Sequence, residues 1–167
     1  MRMEFFEVVE RRASVRAFEP VETAEDDLLR IVEAGRRAPS GRNRQPCQFV
    51  LITDKPTIER LGAVQACIGQ ASAAVAVLVD DQLTEYWKED AAAAIENMLL
   101  AVAALGYASV WVEGYVLRNE AMVKETLGVP DKLRAIAVLP IGKPAAEPKQ
   151  AAKKPLSEVL HRNRYGG

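Results

Sequence analysis

Between residues 91 and 105 the chain offers a helix with no polar side. Ala91, Ala94, Ile95, Met98, Leu99, Val102 and Leu105 recur at helical spacing along one stripe. Opposite them lie Ala92, Ala93, Leu100, Ala101 and Ala104. A helix that is apolar nearly all round must be buried on all sides, and its small alanines let another helix come close. In a chain of 167 residues this points to a partner subunit packing on it. Glu96 and Asn97 interrupt the apolar run and argue against a membrane span. Gly106 predicts the C-cap.

The other elements arrange themselves around this helix. An apolar run at 73–79 has strand length and suits a strand buried on both faces. Further strands are expected at 48–53, 108–112 and 133–141. Helices are expected at 3–12, from a Thr23 N-cap to about Arg37, at 56–67 behind Pro56, and at 119–127 between an Asn119 cap and Gly128. Residues 145–154 are poor in hydrophobics and should cross the surface. The short apolar pattern at 155–161 is too small to stand alone, so 145–167 is expected to dock on this body or on another subunit.

Length implies one domain over 1–167. A net charge of −1 provides no field to recruit nucleic acid or an anionic membrane. Cys47, Cys67 and the single histidine, His161, make neither a common zinc pattern nor a reason for a disulfide. No signal-peptide core follows Met1, so the expected location is cytoplasmic. There is no Walker loop, Gly-x-Gly-x-x-Gly or Gly-x-Ser-x-Gly, and a hydrolytic triad could use only His161. If the chain is an enzyme, no cluster of His, Cys and carboxylate makes a metal site, and something other than its side chains is expected to carry the hard chemistry.

Three polar stretches remain. In 38–47, Pro39 and Pro46 exclude a helix, while Gly41 and Asn43 favour left-handed turns. With Ser40 and Gln45 the loop offers neutral hydrogen-bonding groups that suit a flat heteroaromatic ring, or it is an ordinary helix-to-strand connection. In 11–18, an extended chain would put Arg12, Ser14 and Arg16 on one face, a good phosphate site. A solvated basic edge is the alternative, and a continued helix would also bring Arg12 and Arg16 together. Glu113-Gly114 at a strand end would let backbone N–H groups approach a ligand, or it is a plain turn.

Taken in register, these stretches resemble the nitroreductase-like FMN-dependent oxidoreductases. The sequence 12–18, Arg-Ala-Ser-Val-Arg-Ala-Phe, resembles that family's opening motif, and 39–46, Pro-Ser-Gly-Arg-Asn-Arg-Gln-Pro, its second. The helix and strand over 90–111 and the segments 138–144 and 154–161 are similar too, so the resemblance covers nearly the whole chain. It implies an α+β fold with a central, mostly antiparallel sheet flanked by helices, in an intertwined homodimer binding two FMN molecules. Arg12, Ser14 and Arg16 would hold the phosphate and ribityl end, with Lys153 and Lys154 neutralising the phosphate. Pro39, Ser40, Gly41 and Asn43 would reach the isoalloxazine ring from the other subunit, and Glu113 and Gly114 would lie near the flavin N5.

The activity so implied is ping-pong transfer from NADH or NADPH through FMN to an electron-poor acceptor such as a nitroaromatic, quinone or enone. Two departures qualify it. Cys47 stands where many relatives carry an aromatic residue, and 80–90 is brief where larger members have an excursion over the flavin. Tyr86 and Trp87 are either the remnant of that lid or surface and interface packing. A non-turnover flavin-binding redox partner or sensor, and a dehalogenase-like or flavin-fragmenting relative, are the alternatives.

Overall fold

The computed structural model describes residues 4–167; the start of the helix expected at 3–12 lies outside the described residues. Strands β1 (Cys47–Ile52), β2 (Ala73–Val79), β3 (Ala108–Ser109) and β4 (Arg134–Gly142) form one sheet in the order β1-β2-β4-β3. Every neighbouring pair is antiparallel, in keeping with the α+β expectation.

Strand β2 is central because both its faces are apolar. Alternation turns Ala74, Ala76 and Leu78 to one side and Val75, Val77 and Val79 to the other, all at most 4% exposed. Each fully buried valine contributes roughly 1.5–3 kcal/mol. On the first side pack α3 (Lys55–Leu61), α4 (Ala66–Gly69), α6 (Gly114–Arg118) and α7 (Glu120–Leu127), through Ile58, Leu61, Ile68, Val116 and Val123. On the second side α2 (Glu25–Arg36) and α5 (Trp87–Ala104) bring Leu28, Ile31, Ile95, Met98 and Val102. Gly35 lets those two helices approach, since a Cβ there would stand 2.8 Å from Met98 Cγ. Helix α1 (Phe5–Arg11) lies against α5, and α8 (Leu156–Val159) sits in the exposed C-terminal segment.

Four local expectations change. Thr23 does not cap α2: its hydroxyl meets the Ser72 hydroxyl at 2.6 Å, and Ala24 holds the cap position. The helix expected over 56–67 splits into α3 and α4, with Gly62 and Gly69 in backbone contact at the bend. Asn119 holds the N-cap position of α7 as expected, but its side chain makes no capping bond, and its amide donates instead to the Tyr115 carbonyl at 2.9 Å. Helix α5 is buried on one side only in this chain, with Glu96 and Ala104 exposed and Ala93, Leu100 and Ala103 half-buried. As expected, Gly106 (φ 77°) and Gly128 (φ 63°) turn the chain in the left-handed region after α5 and α7. Among the described residues no helix is long and apolar enough to cross a membrane.

Candidate functional site

Helix α1 ends at Arg11, and Arg12 leaves it with φ −58° and ψ 118°. The chain then runs extended: Ser14 bridges Ser109 in parallel, and the Val15 N–H donates to the Ser109 carbonyl at 2.9 Å. The extended reading of 12–16 therefore holds, and the segment borders β3. Arg12 is half-buried with its Nε 3.8 Å from Glu96, while Arg16 is exposed and has no ion pair among the described residues. Ser109 Oγ is buried beside them with no hydrogen-bond partner. The C-terminal segment passes the same place. Gln150 donates to the carbonyls of Val9 and Arg12 at 3.1 and 3.0 Å, and Arg11 pairs with Glu147 at 3.4 Å. Lys153 and Lys154 follow Gln150 within about 14 Å of chain, both exposed.

Beyond Ser109, pairing with β4 lapses until Val112 and Val138 bond each other's backbones. Pro140 explains the lapse. Two residues from Val138, its nitrogen faces the same neighbouring strand, and it has no N–H to give. At the gap Trp111 turns towards α5, its Nε1 buried without a partner. Trp111 lines a cavity of ≈ 350 Å³ with Trp87, Lys88, Glu113, Arg134 and Ile136. Ile136 is the residue skipped in the β2–β4 register, where Val77 faces Ala137 and Leu78 faces Ala135. At Gly114 the nearest atom to an added Cβ would be an Arg118 guanidinium nitrogen 3.6 Å away, so the backbone there is open to approach.

The loop 39–46 lies at the start of β1. Arg42, Asn43 and Gln45 have φ of 51°, 55° and 51°; such conformations cost on the order of 1–3 kcal/mol each and persist only when their surroundings enforce them. Ser40 Oγ accepts the Gln45 N–H at 2.9 Å, Asp90 Oδ1 accepts the Gly41 N–H at 2.8 Å, and the Pro46 carbonyl accepts the Asp80 N–H at 3.1 Å. Asn43 is left-handed as expected, but Gly41 is not. Its lack of a side chain serves space instead, because a Cβ would stand 2.5 Å from Tyr86 Cδ2. Tyr86 and Trp87 are packed against this chain's own body, the first on the loop and the second on the α5 side of the core. Cys47 follows the loop and shares a cavity of ≈ 70 Å³ with Ser40, Gln45 and Asp90. Burial, and secondarily the Asp90 charge, pushes its thiol up to about 11.

The structure brings Arg12, Ser14, Arg16 and the C-terminal segment together, with Glu113 and Gly114 further along the same edge. It does not bring the loop to them. The loop is at the β1 edge and Ser14 lies outside β3, four strand spacings or about 19 Å across the sheet. One chain thus holds the two candidate groups on opposite edges of its sheet. The donor set of each fits its expected share of FMN: guanidinium, hydroxyl and ammonium groups for a phosphate, and amide and hydroxyl groups with an ordered backbone for a ring. Ser109, Asp90 and the contact of Tyr86 with Gly41 escaped the sequence reading. The one available signal was an aspartate at the head of an otherwise apolar helix.

The profile of the Nitroreductase family matches residues 9–89 and 68–143. A protein of Archaeoglobus fulgidus, provisionally named NADH dehydrogenase/NAD(P)H nitroreductase, is 32% identical over 86% of this chain and 87% of its own. An NADPH-dependent oxidoreductase of Staphylococcus aureus is 28% identical over 96% of this chain and 73% of its own. Among solved structures, a provisionally named nitroreductase from Desulfovibrio desulfuricans in complex with FMN superposes with a TM-score of 0.86 at 28% identity, covering 99% of each chain.

Proposed function

The chain belongs to the nitroreductase family, and from that premise we propose that it is an FMN-dependent oxidoreductase whose site is completed by a second copy of itself. The observation that carries this is the separation of the two half-sites on opposite edges of one sheet. Bound FMN would supply the redox chemistry, accepting hydride from NADH or NADPH and passing electrons to a nitroaromatic, quinone or enone in a ping-pong cycle. Arg12, Ser14 and Arg16, with Lys153 and Lys154, hold the phosphate and ribityl end. Pro39, Ser40, Gly41 and Asn43 of the second copy meet the ring. Glu113 and Gly114 border the ring's N5, where the open backbone at Gly114 suits an N–H contact.

Exposed apolar side chains support the pairing. Phe5, Phe6 and Val9 on α1 and Leu156, Val159 and Leu160 in the C-terminal segment have no cover in one chain, and the outer side of α5 is only half-covered. No side-chain acid or base is assigned, in keeping with a cofactor that does the chemistry. The test is an absorbance spectrum of the purified protein before and after anaerobic NADH or NADPH. Flavin bands that bleach are expected. A colourless protein that takes up no added FMN would overturn the reading.

A further inference from the structure

We propose that Asp90 and Tyr86 are positioning residues that hold the 39–46 loop in its ring-binding shape, so that segment 80–90 braces the site from behind instead of closing over it. The inference rests on the FMN reading above and assigns these residues a part in it. Asp90 is 6% exposed and, with Ser109, one of the two buried polar residues of the described core. A carboxylate is seldom buried without a strong partner. Its partner here is a backbone N–H of the loop: Oδ1 accepts from Gly41 at 2.8 Å, while Oδ2 has none.

The placement separates this role from helix capping. Asp90 lies in the first turn of α5, where the helix dipole favours a negative charge. A capping side chain would bond the N–H groups of its own helix. That of Asp90 instead reaches a loop forty-nine residues away in sequence. Tyr86 lays its ring over Gly41 so closely that no larger residue fits, and the Asp80 N–H holds the loop's far end at the Pro46 carbonyl. Three contacts from 80–90 therefore grip both ends of a segment containing three left-handed non-glycine residues. Such a segment keeps its shape only under external constraint.

The experiment compares full-length Asp90→Ala, Asp90→Asn and Tyr86→Ala proteins with the parent. Two quantities are read: the FMN dissociation constant by flavin fluorescence, and hydrogen exchange at the Gly41 amide in FMN-free protein. Asp90→Ala and Tyr86→Ala are expected to weaken FMN binding at least about tenfold, and Asp90→Ala to speed Gly41 exchange by a similar factor. Asp90→Asn, whose side-chain carbonyl still accepts the N–H, should stay within about threefold of the parent.

Should Asp90→Ala fail to fold, steric rescue decides. Gly41→Ala should impair FMN binding, and Gly41→Ala with Tyr86→Ala should bind no worse than Tyr86→Ala alone. Unchanged FMN affinity and unchanged Gly41 exchange, in variants of a parent that binds FMN, would overturn the proposal by itself. A parent that binds no FMN would overturn the functional reading and with it the ring-binding purpose of the brace. Gly41 exchange would then still show whether Asp90 holds the loop.

Discussion

Arg12 and Cys47 show how a side chain's surroundings change what its chemistry can do. Arg12 is half-buried and loosely paired with Glu96 at 3.8 Å, so its guanidinium is poised at the β3 edge with donors to spare. Arg12→Ala should weaken FMN binding by about 1.5–3 kcal/mol, the range for a hydrogen bond to a charged group. Unchanged affinity in a fluorescence titration would remove Arg12 from the phosphate site. Cys47 is the reverse case, a half-buried nucleophile whose surroundings disfavour the thiolate. With its thiol pushed up to about 11 from the usual 9.0, it carries almost no thiolate at neutral pH. Native protein should therefore resist iodoacetamide at Cys47, with labelling rising only above pH 9. Rapid modification at pH 7 would show that the thiol is not raised as burial and the Asp90 charge imply.

Among the elements, α7 and β4 are joined by a feature no local pattern announces. Glu120, the first residue of α7, takes Arg134 at 2.9 Å from Nε and 3.0 Å from the far guanidinium nitrogen, and also accepts the Ala135 N–H at 3.1 Å. Those hydrogen bonds, Arg134 first, hold the Glu120 carboxyl below its ordinary value of 4.5 against the opposing effect of burial. A carboxyl lowered on folding adds stability that is fully present above 4.5 and is lost as pH falls through the folded value. Glu120→Gln should thus lower stability at pH 7 by about 1–3 kcal/mol in urea denaturation at fixed FMN. It should also flatten the decline in stability below pH 4.5. An equal loss at pH 7 and pH 3 would show that the carboxylate's charge is not what matters.

At the scale of the whole molecule, the C-terminal segment lies outside the core. Every residue of 149–167 is exposed, and Tyr165 is 90% so. Among the described residues, only Glu147 and Gln150 tie the stretch 145–167 to the body through side-chain bonds, beside the arginines proposed to hold phosphate. Deleting 150–167 is expected to lower FMN affinity more than tenfold, because Lys153 and Lys154 go with it. It should also shift the protein from dimer towards monomer in sedimentation velocity. A truncated protein that stays dimeric and binds FMN normally would place both the interface and the phosphate contacts elsewhere.

Much of this fold was legible in the residue order alone. A continuous apolar run means a central strand wherever it occurs, so 73–79 needed no neighbours to be read. The alternation that buries β2 on two faces is a property of the backbone, as are the left-handed turns at Gly106 and Gly128. Motif order carried the family, and with it the antiparallel sheet. Tertiary structure decided what depends on distance. Only folding could place the Thr23 hydroxyl against Ser72 and not on its helix, set Pro140 in the gap between β3 and the Val112–Val138 bridge, or bury the Asp90 carboxylate under Gly41. Those contacts join residues dozens of positions apart, and a side chain's partner is set by the surface it meets, which the residues around it in sequence do not encode.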